Sequence, residues 1–415
     1  MVSLLPALLT SVVLASSPAI HYSSQLRLES MVRTPNLTET ANALLISDVL
    51  LTPRGQVILF TPRVEIKAIL EPQLLLRRAF TQPTLEVLTF AFLRGEYQAA
   101  RGLKVWAMEA TTYGTFPFED FRVPAPTDSG GRRLLDASKY IYSENVVGID
   151  IVGIRRTYIG VQGGVVINGL LDPPTAPTVP HVPRTPADGP LPLDQRTTPA
   201  QVGPEVRAQG FHSLTRRLTL GLDFYGRDVF FSTDAHLLLA QTSPLVQYQF
   251  SPLIQGKLQL GLAAGERRPQ ITEQPPETSS ILHPIGEASL ETPVPVGYHW
   301  PVKAKLAARY VPYVDVYSTL VYPRFEESLG LEWVGRRKAQ LNLELTAAQA
   351  MTQGPHQRDG EERLSAKFQW PLTRSTAVVA SGRLLRLREF LIENEPIYKW
   401  FMGVGLVIRQ ENGRL

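Results

Sequence analysis

The chain alternates apolar and polar residues over long stretches. Leu218, Leu220, Leu222 and Phe224 share one parity, with Arg217, Thr219, Gly221 and Asp223 between them. Leu258, Leu260 and Leu262 alternate with Lys257, Gln259 and Gly261, and Ala339, Leu341, Leu343, Leu345 and Ala347 with Gln340, Asn342, Glu344 and Thr346. Leu364, Ala366, Phe368 and Trp370 alternate with Arg363, Ser365, Lys367 and Gln369, and Trp400, Met402, Val404, Leu406 and Ile408 repeat the pattern. Side chains of a strand point alternately to its two faces, so period two predicts strands with one apolar and one polar face. The runs reach about nine to fourteen residues, against the five or six usual in soluble sheets. A tilted strand that crosses a bilayer needs about nine to eleven.

About nineteen such runs follow residue 20, and merging an over-split pair gives the even number that bacterial barrels have. The predicted fold is therefore all-β: a single large antiparallel transmembrane β-barrel of sixteen or eighteen strands, with long Pro-rich loops on one rim. A soluble β-sandwich shares the alternation, but not the length and number of the runs. No stretch beyond residue 20 approaches the roughly eighteen consecutive apolar residues of a spanning helix. In a membrane the remaining solution is a closed sheet, because an open edge leaves unpaired N–H and C=O groups in hydrocarbon.

Three irregular stretches, 113–135, 172–204 and 267–297, are predicted as the long loops. Residues 172–204 hold ten prolines and also fit a linker between two domains, although the alternation resumes unchanged beyond them. The apolar run Leu4–Ala15 followed by small residues predicts a signal peptide over 1–19, cleaved near 15 or 19, and a barrel over 20–415. Its first residues carry no Lys or Arg, a departure from the usual signal. Phe60, Phe250, Trp300, Trp333, Trp370 and Trp400 fall near run ends, and Pro follows directly or closely in several cases. Aromatics there are expected to form the interfacial girdle of a barrel. Ordinary hairpin punctuation is the alternative, and Pro62 is expected to mark a bulge or a turn.

Charge and chemistry narrow the function. The 42 basic and 38 acidic residues leave a net charge of +4, which implies no basic face for nucleic acid. There is no cysteine, hence no disulfide framework and no thiol for a lipid anchor. None of the seven histidines falls in a metal-binding or catalytic motif, and no P-loop or GxSxG is present. Neither metal nor cofactor is expected, and an enzyme is disfavoured; Asp234 and His236, on one strand face, are the nearest approach to a catalytic pair. The polar face supplies the candidate lumen-lining residues: Arg217, Asp223, Lys257, Gln259, Lys303, Lys305, Arg309, Gln340, Asn342, Glu344, Arg363, Lys367 and Gln369. Mixed charges and amides suit a wet lumen that passes a hydrophilic solute. A lumen filled by mutually paired side chains is the alternative.

Several segments carry a family resemblance. They are Ala110-Thr-Thr-Tyr113-Gly114, Val311-Pro-Tyr-Val-Asp315, Phe325-Glu-Glu-Ser-Leu329, and the paired arginines Arg155-Arg156, Arg216-Arg217 and Arg336-Arg337. In these the chain resembles, over most of its length, outer-membrane β-barrel proteins of myxobacterial-type exopolysaccharide and spore-coat export systems. The resemblance implies a bacterial outer-membrane channel of about eighteen strands that translocates polysaccharide, with outer-membrane lipid and periplasmic export proteins as partners. It transfers no site residue. One departure is the end of the chain, where a polar segment, Arg409 to Leu415, replaces the C-terminal aromatic of many such barrels. A general porin, a structural or adhesive surface barrel and a rim enzyme using His236 are the other readings.

Overall fold

The computed structural model describes residues 19–34, 46–77, 84–115, 139–152, 154–170, 200–232, 235–268, 279–295, 301–314, 321–335 (with 338–351), 360–389 and 393–414. The predicted signal segment before Ala19 and Trp300 lie outside them. The strands are β1 (Ala19–Arg33), β2 (Ile46–Phe60), β3 (Val64–Arg77), β4 (Thr84–Ala100), β5 (Leu103–Thr115) and β6 (Lys139–Ile151). They continue with β7 (Thr157–Leu170), β8 (Gln201–Ser213), β9 (Leu218–Phe231), β10 (His236–Ser251), β11 (Ile254–Arg268) and β12 (Ser279–Pro295). The last six are β13 (Pro301–Val314), β14 (Val321–Val334), β15 (Gln340–Ala350), β16 (Gly360–Pro371), β17 (Thr376–Glu389) and β18 (Glu393–Arg414). Each pairs antiparallel with its neighbours in sequence, and β18 pairs with β1, so 18 strands close into one barrel. Closure leaves no edge with unpaired backbone groups.

The two rims differ. Hairpins β2–β3, β8–β9, β10–β11 and β16–β17 turn within a few residues at one rim, where β1 also begins and β18 ends. The connections of the opposite rim are longer in most cases, among them 34–45, 116–138 and 171–200. Four tight turns share one device. The hydroxyls of Thr61, Thr215, Ser251 and Thr373 accept from the backbone N–H three residues on, at 2.9, 2.9, 3.1 and 3.0 Å. A side-chain oxygen so placed satisfies a turn N–H that no ladder can reach. Thr61→Ala and Thr373→Ala are each expected to cost about 1 kcal/mol, read as a lower urea midpoint for the folded barrel in detergent.

Prolines account for the differences from the sequence reading. β2 runs through Pro53 and β3 through Pro72 without a break. Continuing the register Leu51↔Leu74 and Gly55↔Leu70 sets Pro53 opposite Pro72, where neither residue has an N–H to give. The hairpin itself lies at Thr61–Arg63, so Pro62 marks a turn and not a bulge. The stretch 267–297, expected as a loop, holds the end of β11 and all of β12, despite Pro284, Pro293 and Pro295. Each proline there forgoes one ladder hydrogen bond while the neighbouring pairs persist. Of the other expected loops, Tyr113–Thr115 end β5 and Gln201–Pro204 open β8; 116–135 and 172–199 lie outside the described residues.

Candidate pore lumen

On a closed cylinder, side chains of the concave face converge and shade one another, while those of the convex face diverge. That geometry identifies the two faces of each strand. Leu222, Leu260 and Leu262 are 53%, 58% and 54% exposed, whereas Gln241 and Ser243 are 9% and 3% exposed. The apolar parity is therefore convex and the polar parity concave, the arrangement a membrane-embedded barrel requires. Toward the long-loop rim the concave face turns apolar, in clusters of Met31, Leu50, Leu75 and Leu88 and of Val229, Phe231, Ala235, Leu237 and Ile281. Period-two reasoning alone assigned the whole inner face to polar residues.

Two cavities line the concave wall. One, of about 500 Å³, is bordered by Arg207, Asp223, Lys257, Gln259, Glu287, Lys305 and Arg309 among others. The second, of about 460 Å³, is bordered by Arg27, Glu29, Arg54, Glu71, Asn342, Glu344, Lys367, Gln369, Arg383 and Arg409. The first cavity sets Arg207, Lys257, Lys305 and Arg309 against Asp223 and Glu287. The second sets Arg27, Arg54, Lys367, Arg383 and Arg409 against Glu29, Glu71 and Glu344. In both, cationic side chains outnumber carboxylates by two.

An ion-pair ladder crosses the wall between them. Lys257 meets Glu287 at 2.9 Å, and Arg309 lies 3.7 Å from Glu287 and 3.5 Å from Glu326. Arg324 continues to Glu326 at 3.7 Å and to Glu361 at 3.3 Å, and Arg363 pairs with Glu361. Signs alternate from β11 to β16, so each carboxylate is shared by two cations. Single exposed pairs contribute little to stability. Their value here is positional, since each long side chain is held by a neighbour on the next strand.

No protein-family model matches the chain, and no curated protein matches it. Solved structures do resemble it. OccK11 (OpdR) of Pseudomonas aeruginosa is 8% identical with a TM-score of 0.44, covering 95% of this chain and 96% of its own. An anion-selective porin from Comamonas acidovorans is 9% identical with a TM-score of 0.40, covering 95% and 100%. A bacterial polysaccharide outer membrane secretin is 11% identical with a TM-score of 0.33, covering 94% and 98%. The chain's own surface states its setting: a closed sheet, an apolar convex band and one tight rim. It is a transmembrane β-barrel.

In this barrel the polar residues singled out from sequence take distinct places. Asp223, Lys257, Gln259, Lys305 and Arg309 border the first cavity, and Asn342, Glu344, Lys367 and Gln369 the second. Gln340 stands opposite Gln369 in register, Lys303 pairs with Glu291 on the same face, and Arg363 ends the ladder. Arg217 is not on the wall. It sits exposed in the β8–β9 turn, where its carbonyl accepts from the Gln249 N–H at 2.8 Å, because the strand begins only at Leu218. Phe250 and Trp370 lie on the convex face at the tight rim, packed on Tyr248 and Phe368 at 4.9 and 6.1 Å. Trp333 shares that face and rim, while Trp400 is convex in the half nearer the long loops. Phe60 differs, since pairing with Glu65 gives it the concave parity. His236 faces outward, hydrogen-bonded to Asp228 and stacked on Phe230 at 4.6 Å, away from both cavities; Asp234 lies outside the described residues.

Sequence reasoning passed over Arg207, Glu287, Arg324, Glu326 and Glu361. A signal for several of them exists. Opposite charges at i and i+2 share a strand face, and Arg27/Glu29, Arg94/Glu96, Arg324/Glu326 and Glu361/Arg363 all form ion pairs.

Proposed function

We propose that the barrel is a passive channel for hydrophilic solutes across the bacterial outer membrane. The observation that carries this is the concave wall, where polar cavities and a seven-member ion ladder stand inside an apolar exterior. Paired long side chains arranged around a wall stabilise an aqueous path without occupying a fixed ligand pocket. Planar-bilayer recording of the purified, full-length protein tests the proposal. Discrete ohmic conductance steps are expected, and a folded, inserted protein that passes no current leaves a structural or adhesive surface barrel in its place.

A narrower reading assigns an exported polysaccharide as the solute, delivered by periplasmic export proteins. Two observations support it: the sequence resemblance described above, and aromatic rings lying flat on the inner wall. The Trp106 indole covers Gly148 and the Phe211 ring covers Gly221, so closely that a Cβ at either glycine would lie 2.4 or 2.6 Å from the ring. Flat aromatic surfaces beside polar groups stack against sugar rings. Oligosaccharides added to the bilayer chamber should interrupt the current, and the interruptions should shorten in Trp106→Ala. Unchanged surface polysaccharide after gene deletion would count against the export role and leave a general porin.

A further inference from the structure

The tight rim carries a charge pattern that neither the lumen nor the fold uses. The paired arginines Arg155-Arg156 and Arg216-Arg217 lie exposed in the β6–β7 and β8–β9 turns. Arg63, Arg101, Lys338 and Arg374 occupy four further turns of the same rim, again exposed, while Arg336-Arg337 lie outside the described residues. Among the described residues these turns hold no Asp or Glu, and none of the eight cations meets a carboxylate. The acids at the ends of the strands they join, Glu65, Glu96, Asp150 and Glu332, have the concave parity and face the lumen. Arg156 and Lys338 hold φ of 61° and 62°. Glycine is the ordinary occupant of that conformation, so a charged side chain is kept where the backbone favours none.

The same rim exposes apolar side chains at its turns. Ile154, Leu214, Leu253 and Leu372 are 53%, 48%, 69% and 58% exposed, and all but Leu253 stand within two residues of an arginine. Height above the aromatic girdle gives their setting. Phe250 and Trp370 mark the convex face at this rim, and the tips of their hairpins lie two to three residues beyond them. At a rise of about 3.3 Å and a tilt near 40° that is roughly 5–8 Å. The headgroup zone between hydrocarbon and water is about as deep, roughly 5–7 Å on each side. An arginine there reaches phosphate with its guanidinium, while its apolar stem and the neighbouring leucine stay with the acyl chains. An acidic protein surface would satisfy the guanidiniums and leave the leucines in water.

We propose that the tight rim binds a ring of anionic phospholipid headgroups, their phosphates held by the turn guanidiniums. The surface is distinct from the lumen and stands whether or not the barrel conducts. The test places the full-length protein in vesicles of neutral phosphatidylcholine and anionic phosphatidylglycerol with the same chains, one lipid brominated at a time. Trp333 and Trp370, convex at this rim, report the lipid beside it. At low salt, tryptophan quenching should show phosphatidylglycerol enriched about fivefold over its bulk fraction, the ratio equivalent to roughly 1 kcal/mol for a basic residue at an anionic surface. Raising the salt to about 1 M should reduce the enrichment. Arg155→Gln, Arg156→Gln, Arg216→Gln and Arg217→Gln combined should lower it, with the heat-modifiable gel shift reporting a folded barrel. Soluble glycerol phosphate, added at matched ionic strength, should leave the enrichment in place; its loss would assign the rim to free phosphate and overturn the proposal. Equal quenching by the two lipids at low salt, or an enrichment unchanged in the folded fourfold variant, also overturns it and leaves the turns to an acidic protein.

Discussion

Asp48→Ala is expected to destabilise the barrel by about 3–5 kcal/mol, the loss typical when one partner of a buried ion pair is removed. Arg33 Nε donates to Asp48 Oδ2 at 2.7 Å, and the two side chains are 3% and 0% exposed. They sit on neighbouring strands β1 and β2, on the concave side near the long-loop rim and beside Met31 and Leu50. Their mutual attraction offsets part of the desolvation of both charges. Removing the carboxylate leaves the guanidinium in the same dry environment with that compensation gone. Asp48→Asn should cost less, because the amide oxygen still accepts the Arg33 hydrogen bond. Arg33→Met combined with Asp48→Leu should recover part of the loss, since apolar replacement of both partners costs less than leaving one buried charge behind. Urea unfolding in detergent or lipid vesicles, followed by tryptophan fluorescence, measures all three. A single Asp48→Ala change within 1 kcal/mol of wild type, a threshold of roughly one ordinary hydrogen bond, would show that water reaches the pair.

Much of this architecture was legible because period two is a local property. Leu218 to Phe224 and Ala339 to Ala347 declare strand and face without reference to any neighbour, and the closed 18-strand sheet follows from repeating that pattern. Register is not local. The ladder from Lys257 to Arg363 exists because Glu287 pairs opposite Arg309 and Arg309 opposite Glu326, relations set by hairpin geometry between strands. Proline misled in β12, where its density suggested a loop although the pairing survives. The Thr and Ser turn caps and the parity of Phe60 escaped notice for a related reason. Each depends on where a turn falls to the nearest residue, and alternation locates turns only to within several.

The second large effect is electrical. The excess of two cationic groups in each wall cavity should make the channel prefer anions. A local potential on the order of kT would enrich anions over cations roughly sevenfold. The reversal potential in a KCl gradient reads this directly, and its sign should correspond to chloride. Raising the salt should weaken the preference, because the screening length falls from about 10 Å at 0.1 M to about 3 Å at 1 M. Lys305 and Arg409 are the informative positions. Lys305 borders the first cavity and makes no ion pair among the described residues; Arg409 borders the second and donates to the amide oxygen of Gln369 at 3.2 Å. Exchanging either for Glu balances the charges of its cavity without touching the ladder, so the fold should be retained. Lys305→Glu and Arg409→Glu together should remove the anion preference, and each alone should remove part of it. A double variant that conducts with unaltered selectivity would mean that ions cross elsewhere than past these two walls.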